Sequence, residues 1–135
     1  MKTRFKRVED VKVVSSGMEV LSIWGAYHLD DMRKAGMTPY AVVEPDEIRL
    51  KVAAEDYPSV ETYRSVGEML RKSDVNLIVL ITPHNTHAPL ALQCIKAGKH
   101  VVCEKPFAIT TKECDAMIAA AKKHDVVVST FHNRH

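Results

Sequence analysis

The chain has no apolar run long enough to span a bilayer, and Lys12 interrupts the only hydrophobic stretch near its start, so neither a signal peptide nor a membrane span is predicted. A cytoplasmic location follows from that reading. Cysteine is scarce: Cys94, Cys103 and Cys114 are odd in number and show no C-x-x-C spacing, which favours reduced core thiols over disulfides or zinc. No metal site is expected. Charge of one sign is also lacking, since 19 basic and 17 acidic residues leave a net charge of +2, giving no reason to expect nucleic acid or an anionic membrane as partner. The basic start, Lys2 to Arg7, reads as part of a solvated tail over residues 1–10. No low-complexity linker or internal repeat divides the rest, and 135 residues with 46% hydrophobic and 27% charged side chains suit one globular domain over residues 11–135.

Short apolar runs alternate with longer amphipathic segments, the pattern of repeated β-α units around a parallel sheet. Strands are expected near 11–16, 39–44, 60–63, 75–81, 100–104 and 126–131. Thr110-x-x-Glu113 is a capping box for a helix in which Cys114, Met117, Ile118 and Ala121 repeat at helical spacing, closed by Lys122, Lys123 and His124. Ala88, Ala91, Leu92 and Ile95 form a second stripe, opened by Pro89 and stopped by Gly98. Ser65-x-x-Glu68 caps a shorter helix, and Gly36 ends the first one.

Two expected strands end on polar clusters. Val101-Val102-Cys103 gives way to Glu104-Lys105-Pro106-Phe107, and Leu77-Ile78-Val79-Leu80-Ile81 to Thr82-Pro83-His84-Asn85-Thr86-His87. Adjacent ionisable residues at the rim of an open α/β sheet are where such proteins hold ligands. Taken alone, however, Lys105 reads as a surface lysine, Glu104 as a solvated charge and His87 as a helix-start residue. Glu44 ends the second expected strand 19 residues after Gly25, near the spacing of about 20 at which a carboxylate meets an adenosine 2′-hydroxyl. A helix-entry acid before Pro45-Asp46 is as good a reading of that spacing.

Thr82-Pro83-x-x-x-His87, Ala97-Gly98-Lys99-His100-Val101, Glu104-Lys105-Pro106 and the tail His132-Asn133-Arg134-His135 together resemble the N-terminal half of the Gfo/Idh/MocA family, named for glucose-fructose oxidoreductase and inositol 2-dehydrogenase. The likeness runs from Val11 to His135. It implies an α/β domain of Rossmann type: a doubly wound parallel sheet of about six strands with helices on both faces, binding a nicotinamide dinucleotide. On this resemblance the family's second, substrate-binding domain is expected to be missing from the chain as it stands. By the same resemblance Lys105 is the catalytic residue that helps a substrate hydroxyl lose its proton as hydride leaves. Glu104 meets the nicotinamide ribose, and Pro106 belongs to the same motif. Thr82, Pro83, Asn85 and His87 form a turn beside the dinucleotide. Asn133 and Arg134 approach a sugar or polyol substrate. Glu44, accepting from the adenosine hydroxyls and repelling a 2′-phosphate, implies NAD in preference to NADP.

One segment departs from the family. Its glycine-rich turn, G-x-G-x-x-G, brings backbone N–H groups to the pyrophosphate. Here Gly17 matches the first glycine and Gly25 the last, while Glu19 and Val20 occupy the middle. A carboxylate about 5 Å from a phosphate charge at an effective dielectric of about 20 to 40 costs roughly 1.5–3 kcal/mol, so weakened cofactor affinity is expected. Ser15 and Ser16 also place hydroxyls in a central strand, each needing a partner. Three functions remain open: the cofactor domain of an oxidoreductase incomplete for catalysis by itself, a non-catalytic dinucleotide-binding regulator, and a structural remnant. Edge strands and uncovered helices could also drive self-association.

Overall fold

Val13 and Val14 point to opposite faces of strand β1 (Lys12–Ser16), and both are completely buried, so this strand is covered on both sides. The computed structural model describes residues 7–16 and 23–132. Parallel pairing joins β1 to β2 (Thr38–Val43) on one side and to β4 (Leu77–Leu80) on the other. Outward from these lie β3 (Glu61–Tyr63) beside β2, and β5 (His100–Cys103) and β6 (Val128–Thr130) beyond β4. The order β3-β2-β1-β4-β5-β6, with every pair parallel, is the doubly wound arrangement of a Rossmann domain. All six strands fall where the alternating pattern places them.

The sheet separates two apolar layers. On one face Leu29 of α1 (Ile23–Lys34) and Ala53 of α2 (Glu47–Asp56) pack on Val42, with Leu50, Tyr57 and Val60 around them. On the other, α3 (Val66–Lys72), α4 (His87–Lys96) and α5 (Thr111–Lys123) bring Met69, Ala91, Ile95, Met117 and Ala121 against Val14, Ile78, Leu80 and Val101. Each fully buried Leu, Ile or Met contributes about 1.5–3 kcal/mol of transfer free energy, so this second layer is the larger anchor of the fold. Cys94 and Cys103 are free thiols inside it, and burial pushes both up to about 12.

Helix starts follow local chemistry. Thr110 Oγ1 accepts from Glu113 N at 3.2 Å while Glu113 Oε2 accepts from Thr110 N at 3.0 Å, the reciprocal capping box expected for α5. Ser65 Oγ caps α3 by accepting from Glu68 N at 3.1 Å. The sequence hinted at α2 only through the reading of Glu44 as a helix-entry acid; the helix begins because Asp46 Oδ1 accepts from both Ile48 N and Arg49 N at 3.0 Å. Its apolar stripe is short, with only Ala53 fully buried, which is why periodicity did not announce it.

The opposite, N-terminal edge of the sheet is closed by residues before β1. A 3-10 turn at Val8–Asp10 is tied down by Asn76, whose Nδ2 donates to Asp10 O at 3.0 Å and whose Oδ1 accepts from Lys12 N at 2.8 Å. Beneath it, Gly36 follows α1 with φ of +87°, and a Cβ there would stand 2.8 Å from Val8 Cγ1. Gly36→Ala should therefore cost about 2 kcal/mol or more in urea unfolding, since the left-handed conformation alone disfavours a Cβ by about 1–2 kcal/mol.

Candidate functional site

Because β1 is flanked by β2 and β4, the chain leaves it toward one face and leaves β4 toward the other, opening a crevice at the carboxyl ends of these strands. At that edge β1 contributes Ser15, whose buried Oγ has no hydrogen-bond partner among the described residues. The hydroxyl thus lacks the partner its central position demands.

Glu44 follows β2 directly. Its backbone N–H donates to Tyr63 O at 2.9 Å, so the strand ladder fixes its position. The side chain has no solvent exposure; Oε1 accepts from Asp46 N at 2.9 Å, and Oε2 finds no partner among the described residues. Burial raises its carboxyl above the usual range, against the lowering influence of the Asp46 N–H and the Arg49 guanidinium. An ionised oxygen enclosed without a donor is costly, and a ligand hydroxyl is the group that would satisfy it.

Glu104 follows β5 in the same way, with its N–H donating to Leu80 O at 2.9 Å. Its carboxylate is held twice: Oε1 lies 2.9 Å from His28 Nε2, and Oε2 accepts from Lys105 N at 2.8 Å. His28 is buried in α1, and its ring meets Phe131 edge-on at 4.6 Å and 75°. Lys105 is exposed at the rim, and its peptide bond to Pro106 is cis.

His87 joins two strand ends. Its ring is completely buried, with Nδ1 2.7 Å from Pro106 O and Nε2 2.9 Å from Thr82 O. A neutral imidazole donates to one of these carbonyls, and an imidazolium to both. Either way both ring nitrogens face inward, so His87 clamps the turns from behind and presents no nitrogen to a ligand. Thr86 Oγ1 lies 2.6 Å from Pro83 O and 2.7 Å from Thr82 Oγ1, which rigidifies the first turn and leaves Pro83 and Asn85 exposed.

The fold therefore brings Thr82, Pro83, Asn85, His87, Glu104, Lys105 and Pro106 to one rim, with Glu44 on the same edge across β1. Gly25 falls within α1. Gly17, Glu19, Val20, Asn133 and Arg134 lie outside the described residues. Among the described residues no group of three His, Cys, Asp or Glu side chains could hold a metal, and no helix is long and apolar enough to cross a membrane. Sequence reasoning missed His28. The signal available was a polar residue placed directly beside the apolar Leu29.

A doubly wound parallel sheet with polar side chains gathered at the switch point is the architecture of a dinucleotide-binding domain. Residues 17–132 match the model of the Gfo/Idh/MocA oxidoreductase family, NAD-binding Rossmann fold, and the chain belongs to that family. It is 35% identical over 95 residues to a myo-inositol 2-dehydrogenase of Thermotoga maritima, covering 70% of this chain and 28% of that protein. It is 34% identical over 86 residues to the scyllo-inositol 2-dehydrogenase (NADP(+)) IolW of Bacillus subtilis, covering 64% and 24%. The WlbA dehydrogenase of Bordetella pertussis, solved with NADH and UDP-GlcNAcA, shares the fold with a TM-score of 0.82 at 21% identity, over 90% of this chain and 36% of that one. The chain thus spans about a quarter to a third of the length of these relatives.

Two outcomes test the geometry. With its pKa raised in the fold, Glu44 carries no penalty at low pH, where folded and unfolded chains are both protonated. It lowers stability as pH rises and the unfolded chain ionises first. Glu44→Gln should raise the urea midpoint of the ligand-free protein at neutral pH, and the gain should vanish below about pH 4. His87→Ala, which deprives two carbonyls of donors and leaves a cavity, should cost about 2–4 kcal/mol by the same measurement.

Proposed function

We propose that this chain binds a nicotinamide dinucleotide across the switch-point crevice, NAD in preference to NADP, as the cofactor domain of a dehydrogenase acting on a CH–OH group of a sugar or polyol. The observation that carries the reading is Glu44: a buried carboxylate with one oxygen unpartnered among the described residues, at the end of β2. Such a group accepts hydrogen bonds from ribose hydroxyls. It also repels a phosphate at the same place, so affinity for NADP suffers. One relative carries NADP(+) in its name, so membership of the family does not decide the preference, and the reading rests on Glu44.

The remaining residues divide the work. Glu104, fixed by His28 and the Lys105 N–H, offers its other lone pairs to the nicotinamide ribose. Lys105, exposed at the rim, would take the substrate hydroxyl proton as a neutral amine, the form that enclosure by cofactor and substrate favours, as the carbinol carbon loses hydride. The bound nicotinamide supplies the hydride acceptor. Thr82, Pro83 and Asn85 line the turn beside the cofactor, and Pro106 shapes the turn that carries Lys105. By resemblance to the family, Gly17 and Gly25 are read as the first and last glycines of the phosphate motif, Glu19 and Val20 as weakening cofactor affinity, and Asn133 and Arg134 as substrate residues. The inositol dehydrogenase relatives support a polyol or sugar as the substrate class.

Because this chain corresponds to 28% of the inositol dehydrogenase it resembles, binding without turnover is the expected behaviour of the chain alone. Positioning of a carbinol for hydride transfer needs groups beyond those gathered at this rim. In a calorimetric titration NADH should bind about tenfold or more tightly than NADPH. Equal affinities would remove Glu44 from the adenosine ribose, and no binding of either would leave the chain as a structural remnant. Turnover of inositol by the purified chain, abolished in Lys105→Ala, would show instead that it is complete for catalysis.

A further inference from the structure

Among the described residues, Glu104 is the one rim acid whose carboxylate bonds to a side chain from a distant part of the chain. Its Oε1 is 2.9 Å from Nε2 of His28, 76 positions earlier, and the His28 side chain is only 6% exposed while Glu104 keeps about a fifth of its side-chain surface open. The second oxygen is taken by the N–H of Lys105 at 2.8 Å. These two bonds use one lone pair on each oxygen and leave one on each free. A carboxylate otherwise turns about its terminal torsion in a broad, two-fold well, so two donors on different elements are what remove that freedom.

His28 is itself held. Phe131, just after β6, meets its ring edge-on, and the Phe131 N–H donates to Cys103 O at 2.8 Å, at the end of the strand that carries Glu104. The imidazole thus sits where α1, the end of β5 and the end of β6 converge. The imidazole is buried, whereas its partner Glu104 is part-exposed at the rim.

We propose that His28 is a positioning residue, donating from Nε2–H to lock the Glu104 carboxylate so that its two remaining lone pairs face the crevice. The proposal rests on the reading of Glu104 as a cofactor-facing acid, and it adds a residue that fixes how that acid is presented. Nε2 carries the proton whether the ring is neutral or cationic, since its neighbour is a carboxylate oxygen.

Two measurements on the full chain test it. The first needs no cofactor: nitrogen-15 NMR of the imidazole should show Nε2 protonated with a slowly exchanging hydrogen, and Glu104→Ala should shift that signal and speed its exchange. A ring protonated only at Nδ1, or signals indifferent to Glu104→Ala, would overturn the proposal. The second is an NADH titration. His28→Phe, which keeps a ring against Phe131 but removes the donor, should weaken binding about tenfold, the size expected for a lost charge-assisted bond. His28→Gln should recover part of the loss, and His28→Phe should add nothing in a Glu104→Ala background. Unfolding midpoints of all variants, measured in parallel, separate this from a general loss of structure. An equal loss in both backgrounds, or none in either, would overturn the positioning role. Failure of the unmodified chain to bind NADH would sink the proposed function instead, leaving the NMR measurement to decide the His28–Glu104 contact by itself.

Discussion

Parallel pairing on both sides of β1 is the constraint from which the rest follows. A parallel neighbour can be reached only by a crossover, so β2 and β4 each require a helix to bring the chain back, and those helices cover both faces. Once every strand runs the same way, every carboxyl end lies on one edge. Glu44, Thr82 and Glu104 meet there for that reason alone, although they are far apart in the chain.

What the edge does with charge differs from strand to strand. Glu44 is sealed and half-satisfied, which costs the empty protein stability and reserves an acceptor for something that brings a donor. Glu104 is part-exposed, with a donor on each oxygen supplied from within. His87 serves neither role, holding the Thr82 and Pro106 carbonyls so that two turns behave as one body. Three polar residues at one rim thus represent a reserved acceptor, an aimed acceptor and a clamp.

The legible part of this fold is what local chemistry writes. Strand positions, the Thr110 and Ser65 caps and the stop at Gly36 could be read because each depends on neighbours within a few residues. Helix α2 was legible only as a possible helix entry after Glu44, because its start rests on a single capping aspartate and its buried face is nearly one alanine wide. The candidate site was legible as strand-end clusters, but not the state of its side chains: nothing near Glu44 in sequence says that it is enclosed, and nothing near His28 says that its partner lies beyond β5. Such facts belong to contacts made across the sheet, where a single sequence carries no record of who meets whom.

Cys103 lies at the end of β5, immediately before Glu104, and is wholly enclosed with its thiol pushed up to about 12. A thiol in that state is inert to alkylating reagents while the strand end stays closed, because the reactive thiolate is scarce and no reagent can reach it. Labelling there therefore reports the frequency with which the rim itself opens. The protein carries an internal gauge, one residue from its aimed acid, by which a ligand that tightens this edge would announce itself without any change in chemistry.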